Sequence, residues 1–113
     1  MESWEIGRRY EGYAASYLAK RGYRILEQNF RCRQGEIDLI ARDGRYLVFI
    51  EVKYRRNGKY GEPAEAVDWK KQQKIRRTAK YYLYRRGYGE ETPCRFDVVG
   101  IASEKVSIIQ NAF

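Results

Sequence analysis

The chain carries ionisable residues inside its two most apolar stretches: Glu36 and Asp38 in Gly35-Glu-Ile-Asp-Leu-Ile, and Glu51 and Lys53 in Val48-Phe-Ile-Glu-Val-Lys. Both stretches read as strands. Side chains alternate along a strand, so Glu36 shares a face with Asp38 and Glu51 shares one with Lys53. Between them Asp43-Gly44 is a dipeptide that favours a two-residue hairpin turn. With that turn Asp38 lies opposite Phe49 and Glu36 opposite Glu51, and all four polar groups fall on one face. Asp38 is then diagonal to Glu51, about 7–8 Å away at Cα, so the two carboxylates can converge. Burying two like charges together is expensive unless a cation lies between them. Mg²⁺ suits the place, because it binds through a few carboxylates, a carbonyl and waters and needs no imidazole. It would activate a water and stabilise charge on a phosphate oxygen, while Lys53 could orient or deprotonate that water. The alternative is structural: Glu51 and Lys53 pair at a strand end, with Asp38 satisfied by backbone amides. A three-residue turn would also separate the faces.

The elements that must position these groups can be read from periodicity and caps. Ser3 caps a first helix whose apolar face is Ile6, Tyr10, Tyr13, Ala14, Tyr17 and Leu18, and Gly22 stops it. Strands are expected over 23–30, 36–42 and 46–54, with a polar turn over 31–35 and an exposed, mobile loop over 55–63. Asp68 caps a second helix over 69–86, closed by Gly87, with Ile75, Ala79, Tyr82 and Leu83 as its apolar stripe. Two closing strands follow at 95–101 and 106–109. The order helix, three strands, helix, two strands implies an α/β domain, a mixed sheet covered by helices.

Composition narrows the chemistry. The 113 residues form one expected domain, 1–113, and contain no histidine, which excludes Ser-His-Asp and Cys-His triads, H-E-x-x-H zinc sites and histidine proton shuttles. Lys and Arg total 23 against 15 Asp and Glu, a formal charge of +8 that favours a polyanionic partner. Cys32 and Cys94 lack the spacing of a zinc site or disulfide framework and are expected to be free thiols. No apolar run approaches the roughly 20 residues needed to cross a bilayer, and the N-terminus lacks a secretion-signal pattern. The expected location is the cytoplasm, with no membrane partner.

Asp38, twelve intervening residues and Glu51-Val-Lys53 resemble the D-x12-E-x-K core of the PD-(D/E)xK nucleases. Glu11, Gly35-Glu36-Ile-Asp38, Glu51-Val-Lys53-x-Arg55, Gly61-x-Pro63, Lys71-Gln72 and Arg95-Phe-Asp97-Val-Val together resemble the YraN-type family of small bacterial endonuclease-like proteins. That family is distantly similar to archaeal Holliday-junction resolvases. The likeness runs from Gly7 to about Ile101; Ile37 stands where the superfamily's name places proline, a variable position. It implies a restriction-endonuclease-like fold, a five-stranded mixed sheet flanked by helices, and a metal-dependent endonuclease acting on DNA, branched DNA included. Residue by residue, it makes Asp38 and Glu51 metal-binding acids and Lys53 the catalytic lysine. The Val52 carbonyl becomes a third ligand of Mg²⁺ or Mn²⁺, and Glu11 a first-helix acid that approaches the metal. Lys71 and Gln72 match a second-helix position near the site or the phosphate. Asp97 either supports the site or anchors a buried arginine, the second being favoured.

The positive charge is grouped. The second helix carries Lys70, Lys71, Lys74, Arg76, Arg77, Lys80, Arg85 and Arg86; Arg31 and Arg33 precede the hairpin; Arg55, Arg56 and Lys59 follow the Glu51 strand. Such clusters suit a phosphate backbone gripped by shape, since no base-reading motif is visible. A solvated basic face is the alternative. The second helix could also help form a homodimer, as in resolvases. A different class of function stays open as well: a non-catalytic nucleic-acid-binding or partner-docking module that keeps the fold and the basic surface.

Overall fold

The computed structural model describes residues 3–55, 67–103 and 105–113, of which 3–6 and 55 are described by backbone alone. Helix α1 (Ser3–Lys20) leads into β1 (Arg24–Cys32), β2 (Gly35–Asp43) and β3 (Tyr46–Arg55); α2 (Trp69–Arg85), β4 (Cys94–Ala102) and β5 (Lys105–Ile109) complete the chain. The expected order is thus found, with β1 extended to Cys32 across part of the supposed polar turn. The sheet runs β1-β2-β3-β4-β5. Only β3 and β4 pair in parallel; the other neighbours are antiparallel. A parallel pair needs a crossover, and α2 supplies it. This α/β architecture is consistent with a restriction-endonuclease-like fold.

Local chemistry sets the helix limits. Asp68 accepts a hydrogen bond from the Lys71 amide at 2.8 Å and caps α2. Both helices end in the same six-residue closure: Tyr23 N donates to Leu18 O and Gly22 N to Ala19 O, as Tyr88 N does to Leu83 O and Gly87 N to Tyr84 O. Gly22 and Gly87 supply the positive φ that this closure requires, at 95° and 75°.

The two helices cover opposite faces of the sheet. Ala14, Ala15 and Leu18 of α1 pack with Leu39, Ala41, Val48, Ile50, Val99 and Ile101. On the other side Ile75, Ala79 and Tyr82 of α2 pack with Ile37, Ile40, Leu47, Phe49 and Val98. At one point α2 comes close to the sheet: a Cβ on Gly35 would lie 2.9 Å from the buried Thr78 hydroxyl. Glycine is therefore required where β2 begins, three residues before Asp38.

The hairpin differs from expectation. Asp43 pairs with Tyr46, so the two-residue loop is Gly44-Arg45 and not Asp43-Gly44. Gly44 has φ 59°, and Arg45 is not among the described residues with positive φ, as befits a turn with glycine in its first central place. The reason is distant: the Asp43 carboxylate accepts a 2.8 Å hydrogen bond from Arg95 on β4 and is held in the ladder. The shift is by two positions, so it leaves Asp38 and Glu51 on a common face; Glu36, expected on that face too, instead lines a cleft with Gly7, Arg8 and Glu11 of α1, because alternation along β2 breaks between Ile37 and Leu39. Asp38 counts as level with Glu51, not diagonal to it.

Candidate active site

The β2–β3 ladder extends from Asp43↔Tyr46 to Leu39↔Ile50, and the carboxylates lie just beyond its end. There the Asp38 side chain takes over from the backbone, its Oδ2 accepting from the Val52 amide at 2.8 Å. Inward alternation along β2 breaks at the same place. Ile37 and Ile40 both pack on the α2 side, while Leu39 between them packs on the α1 side. Across β1 the pairs step from Gln28↔Leu39 to Phe30↔Ile37, passing over Asn29 and Asp38. Asn29 has φ 55°, the left-handed region that asparagine tolerates better than most residues. β2 and β3 therefore part at Asp38, while β1 skips one pair and keeps its register with β2 on either side.

Glu51 is 2% exposed. Its Oε2 lies 3.8 Å from Lys71 Nζ on α2, while its Oε1 is buried with no donor among the described residues. Glu11 Oε2, on α1, is likewise buried with no hydrogen-bond partner among the described residues. Burial, then the charge of Asp38, pushes the Glu51 carboxyl up to about 8, with Lys71 and Lys53 pulling it back. The same two causes, burial first, push Glu11 up to about 7, against a hydrogen bond from Asn29. Asp38 is also raised by burial, opposed by the Val52 amide, Glu11 and the two lysines. Each acid thus raises or restrains another, which is the mark of one electrostatic unit.

The structure brings Glu11, Asp38, Glu51, Lys53 and Lys71 into this unit. Other expected residues lie elsewhere. Gln72 donates to Val67 O at 3.0 Å and closes the entry to α2. Arg31 stays beside the unit: it pairs with Glu36 at 3.2 Å on the rim of a cleft of about 380 Å³ that Gly7, Arg8, Glu11 and Asn29 also line. Arg33 and Lys74 are exposed. Arg55 is described by backbone alone, and Arg56, Lys59 and the 56–63 part of the expected mobile loop lie outside the described residues. Asp97 takes the structural role, since it binds Arg95 through two bonds of 2.9 Å. Asn29 was not singled out from the sequence; a lone asparagine within a strand was its only signal.

A cation has a chemical case here and an incomplete cage. Two buried carboxylate oxygens without donors, set among raised acids, are the donor set a hard divalent ion takes. Among the described residues, however, no group of three or more His, Cys, Asp or Glu side chains is drawn together as a ready-made metal site.

Fold and site define a small α/β protein with a buried acid and lysine group at a divergence of the central strands. Comparison with known proteins places it further: residues 10–101 match the model described as "Uncharacterised protein family UPF0102". The chain belongs to this family, the YraN-type group that its motifs resemble. It is 54% identical over 103 residues to a UPF0102 protein of Lachnoclostridium phytofermentans, covering 91% of this chain and 87% of that one. A UPF0102 protein of Thermodesulfovibrio yellowstonii is 47% identical over 109 residues, 96% of each chain. One from Symbiobacterium thermophilum is 49% identical over 116 aligned residues, 98% of each.

Proposed function

We propose that the protein is a divalent-metal-dependent endonuclease that hydrolyses phosphodiester bonds in DNA, with branched or otherwise structured DNA as its substrate class. The observation that carries this reading is Glu51, a carboxyl 2% exposed with one oxygen lacking a donor among the described residues, set beside Asp38 and two lysines. A structural carboxylate in such a place would be fully hydrogen-bonded. Asp38, Glu51 and the Val52 carbonyl are the proposed ligands of Mg²⁺ or Mn²⁺, which would supply an activated water and stabilise charge on the phosphate oxygen.

The chain's own groups do the rest. The Val52 amide fixes the Asp38 carboxylate. Lys53, whose charge acts on both acids, orients the attacking water or stabilises the phosphate oxygens. Glu11, raised to about 7, can hold or release a proton near neutral pH. Lys71, with Arg31, Arg33, Lys74 and the Arg55, Arg56 and Lys59 segment, is assigned to the phosphate backbone. No described helix is long and apolar enough to cross a membrane; a cytoplasmic place and a homodimer complete the proposal.

Four-way junction, flap, single-stranded and duplex DNA are offered with Mg²⁺ or Mn²⁺ to the wild type and to Asp38→Asn. Wild type should cut at least one substrate and the variant none; if neither cuts, or both cut equally, the reading fails. A second reading, a non-catalytic nucleic-acid-binding module, is favoured by one observation: the described acids do not form a ready-made metal site. It requires salt-sensitive DNA binding that survives loss of Asp38 and Glu51, and no Mn²⁺ uptake by calorimetry.

A further inference from the structure

The outer face of α2 plays no part in the carboxylate site, yet it carries two aromatic side chains that the fold leaves in water. Trp69 is 72% exposed and Tyr84 83% exposed. Helical spacing sets Trp69, Gln73, Arg76, Lys80 and Tyr84 on one side of the helix, away from the buried Ile75, Ala79 and Tyr82. At 1.5 Å per residue the two aromatics stand about 22 Å apart. Arg76, Arg77 and Lys80 lie between them, and α2 contains no acidic residue.

This face is shaped as well as charged. The Arg76 guanidinium lies 4.8 Å from the Phe96 ring centroid and 5.6 Å from that of Phe113, and the two rings stack on each other at 5.2 Å. A hollow of about 340 Å³ beside Arg76, Arg77 and Phe96 meets a second, of about 480 Å³, beside Tyr84 and Tyr88; Lys80 and Leu83 line both. The face starts at the end of α2 where Lys71 meets Glu51.

Duplex DNA would use the cations but offer the aromatics nothing, because its base faces are already stacked. A single strand offers both phosphates and free base faces, and alternating aromatics and cations are the usual means of holding one. Trp, Tyr and Arg also suit protein interfaces, but a helix with this many cations and no acidic residue fits a polyanion better. We infer that this face binds single-stranded DNA, with bases on Trp69 and Tyr84 and phosphates on Arg77 and Lys80. The substrate of the carboxylate site is then DNA with a single-stranded arm. That last step, and the choice of DNA over RNA, rest on the proposed nuclease function; the binding of a single strand does not.

The test separates the two. Asp38→Asn protein in EDTA is titrated against fluorescein-labelled oligothymidylate, a blunt duplex of the same length and oligouridylate, read by anisotropy. Oligothymidylate should bind tightest. Trp69→Ala and Tyr84→Ala should each weaken it about tenfold, with Trp69→Phe retaining most of the affinity, and none should alter duplex binding. In a Trp4→Phe background the strand should quench Trp69 emission. Arg77→Glu with Lys80→Glu should flatten the salt dependence. Equal or tighter binding of the duplex or of oligouridylate, indifference to Trp69→Ala, or a dimer that shields Trp69 from quencher would each overturn the inference. Tailed and blunt duplexes are then offered to otherwise wild-type protein with Mn²⁺. Strand binding without any cleavage sinks the nuclease and leaves the face standing; cleavage that is indifferent to Trp69→Ala and to the tail does the reverse.

Discussion

Two buried carboxylates stand on neighbouring strands of this sheet and have opposite surroundings. Asp97 is 1% exposed and Glu51 2% exposed. Asp97 receives Arg95 Nε and Nη2 at 2.9 Å, the Tyr23 hydroxyl at 3.1 Å and the Asn111 amide at 3.0 Å. Arg95 in turn reaches Asp43 and Tyr23, and its hydrogen bonds to Asp97 raise its own pKa. Glu51 has the distant Lys71, the charge of Lys53, a backbone hydrogen bond from Asp38 and, among the described residues, one oxygen with no donor, and its carboxyl is pushed up to about 8. Burial alone therefore says little about a carboxylate's purpose. What separates the two centres is whether the fold brings enough donors to the charge it buries. The Asp97 centre is closed, while the Glu51 centre is left open among the described residues.

The comparison breaks first at Asp97. If its network is purely structural, Asp97→Ala leaves Arg95 buried without its main partner and should cost about 3–5 kcal/mol in urea denaturation. The equivalent neutralisation at the other centre should do the opposite. In the metal-free protein the native Glu51 carboxyl titrates at about 8 and an unfolded glutamate near 4.3, so the folded state holds the extra proton between them. Stability from this group is then fully present below the unfolded value and is lost as pH rises through about 8. Glu51→Gln cannot ionise. It should match wild type near pH 4 and exceed it increasingly above that, by a few kcal/mol (at most about 5) by pH 9. Thermal melts across that range decide it. Mn²⁺ should raise the wild-type melting temperature at high pH and leave that of Glu51→Gln unchanged; a variant that is less stable than wild type at pH 9 would place Glu51 with Asp97.

Much of this contrast could be read from sequence, and the missing part was long-range. The caps were local: Asp68 before an apolar stripe, and Gly22 and Gly87 after one, define both helices without reference to the rest of the chain. The shared face of Asp38 and Glu51 followed from strand alternation and survived a register error, because the error was an even number of residues. The error itself came from Arg95, 52 residues away, which draws Asp43 into the ladder. No local propensity for Asp-Gly could show that. Nor could spacing show that Lys71, and not Gln72, would reach Glu51, since neighbouring positions on a helix point about 100° apart.

Asn29 tests how the open centre is kept open. Its left-handed backbone lets β1 pass Asp38, and its side chain restrains Glu11. Asn29→Ala should cost about 1 kcal/mol, because alanine resists that conformation, whereas Asn29→Gly should be nearly neutral. Both remove the hydrogen bond, so Glu11 should titrate above about 7 in either variant, read by carbon-13 NMR of the carboxyl. An unchanged titration would mean that Asn29 shapes the strand and has no hold on the acid.

The smallest expected effect is the most selective. Lys71 is a third exposed and 3.8 Å from Glu51, too far and too wet for a strong pair. Lys71→Met should therefore change global stability by less than about 0.5 kcal/mol. Its charge nevertheless lowers the Glu51 carboxyl, so its loss should move that titration above about 8. A closed centre of the Asp97 kind would respond to loss of a cation with a large fall in stability. An open one responds with a proton, because Glu51 can take up hydrogen where it lacks a partner. A stability loss of several kcal/mol in Lys71→Met, with the carboxyl titration unmoved, would mean that Glu51 and Lys71 form a structural pair and that the two centres do not differ in kind.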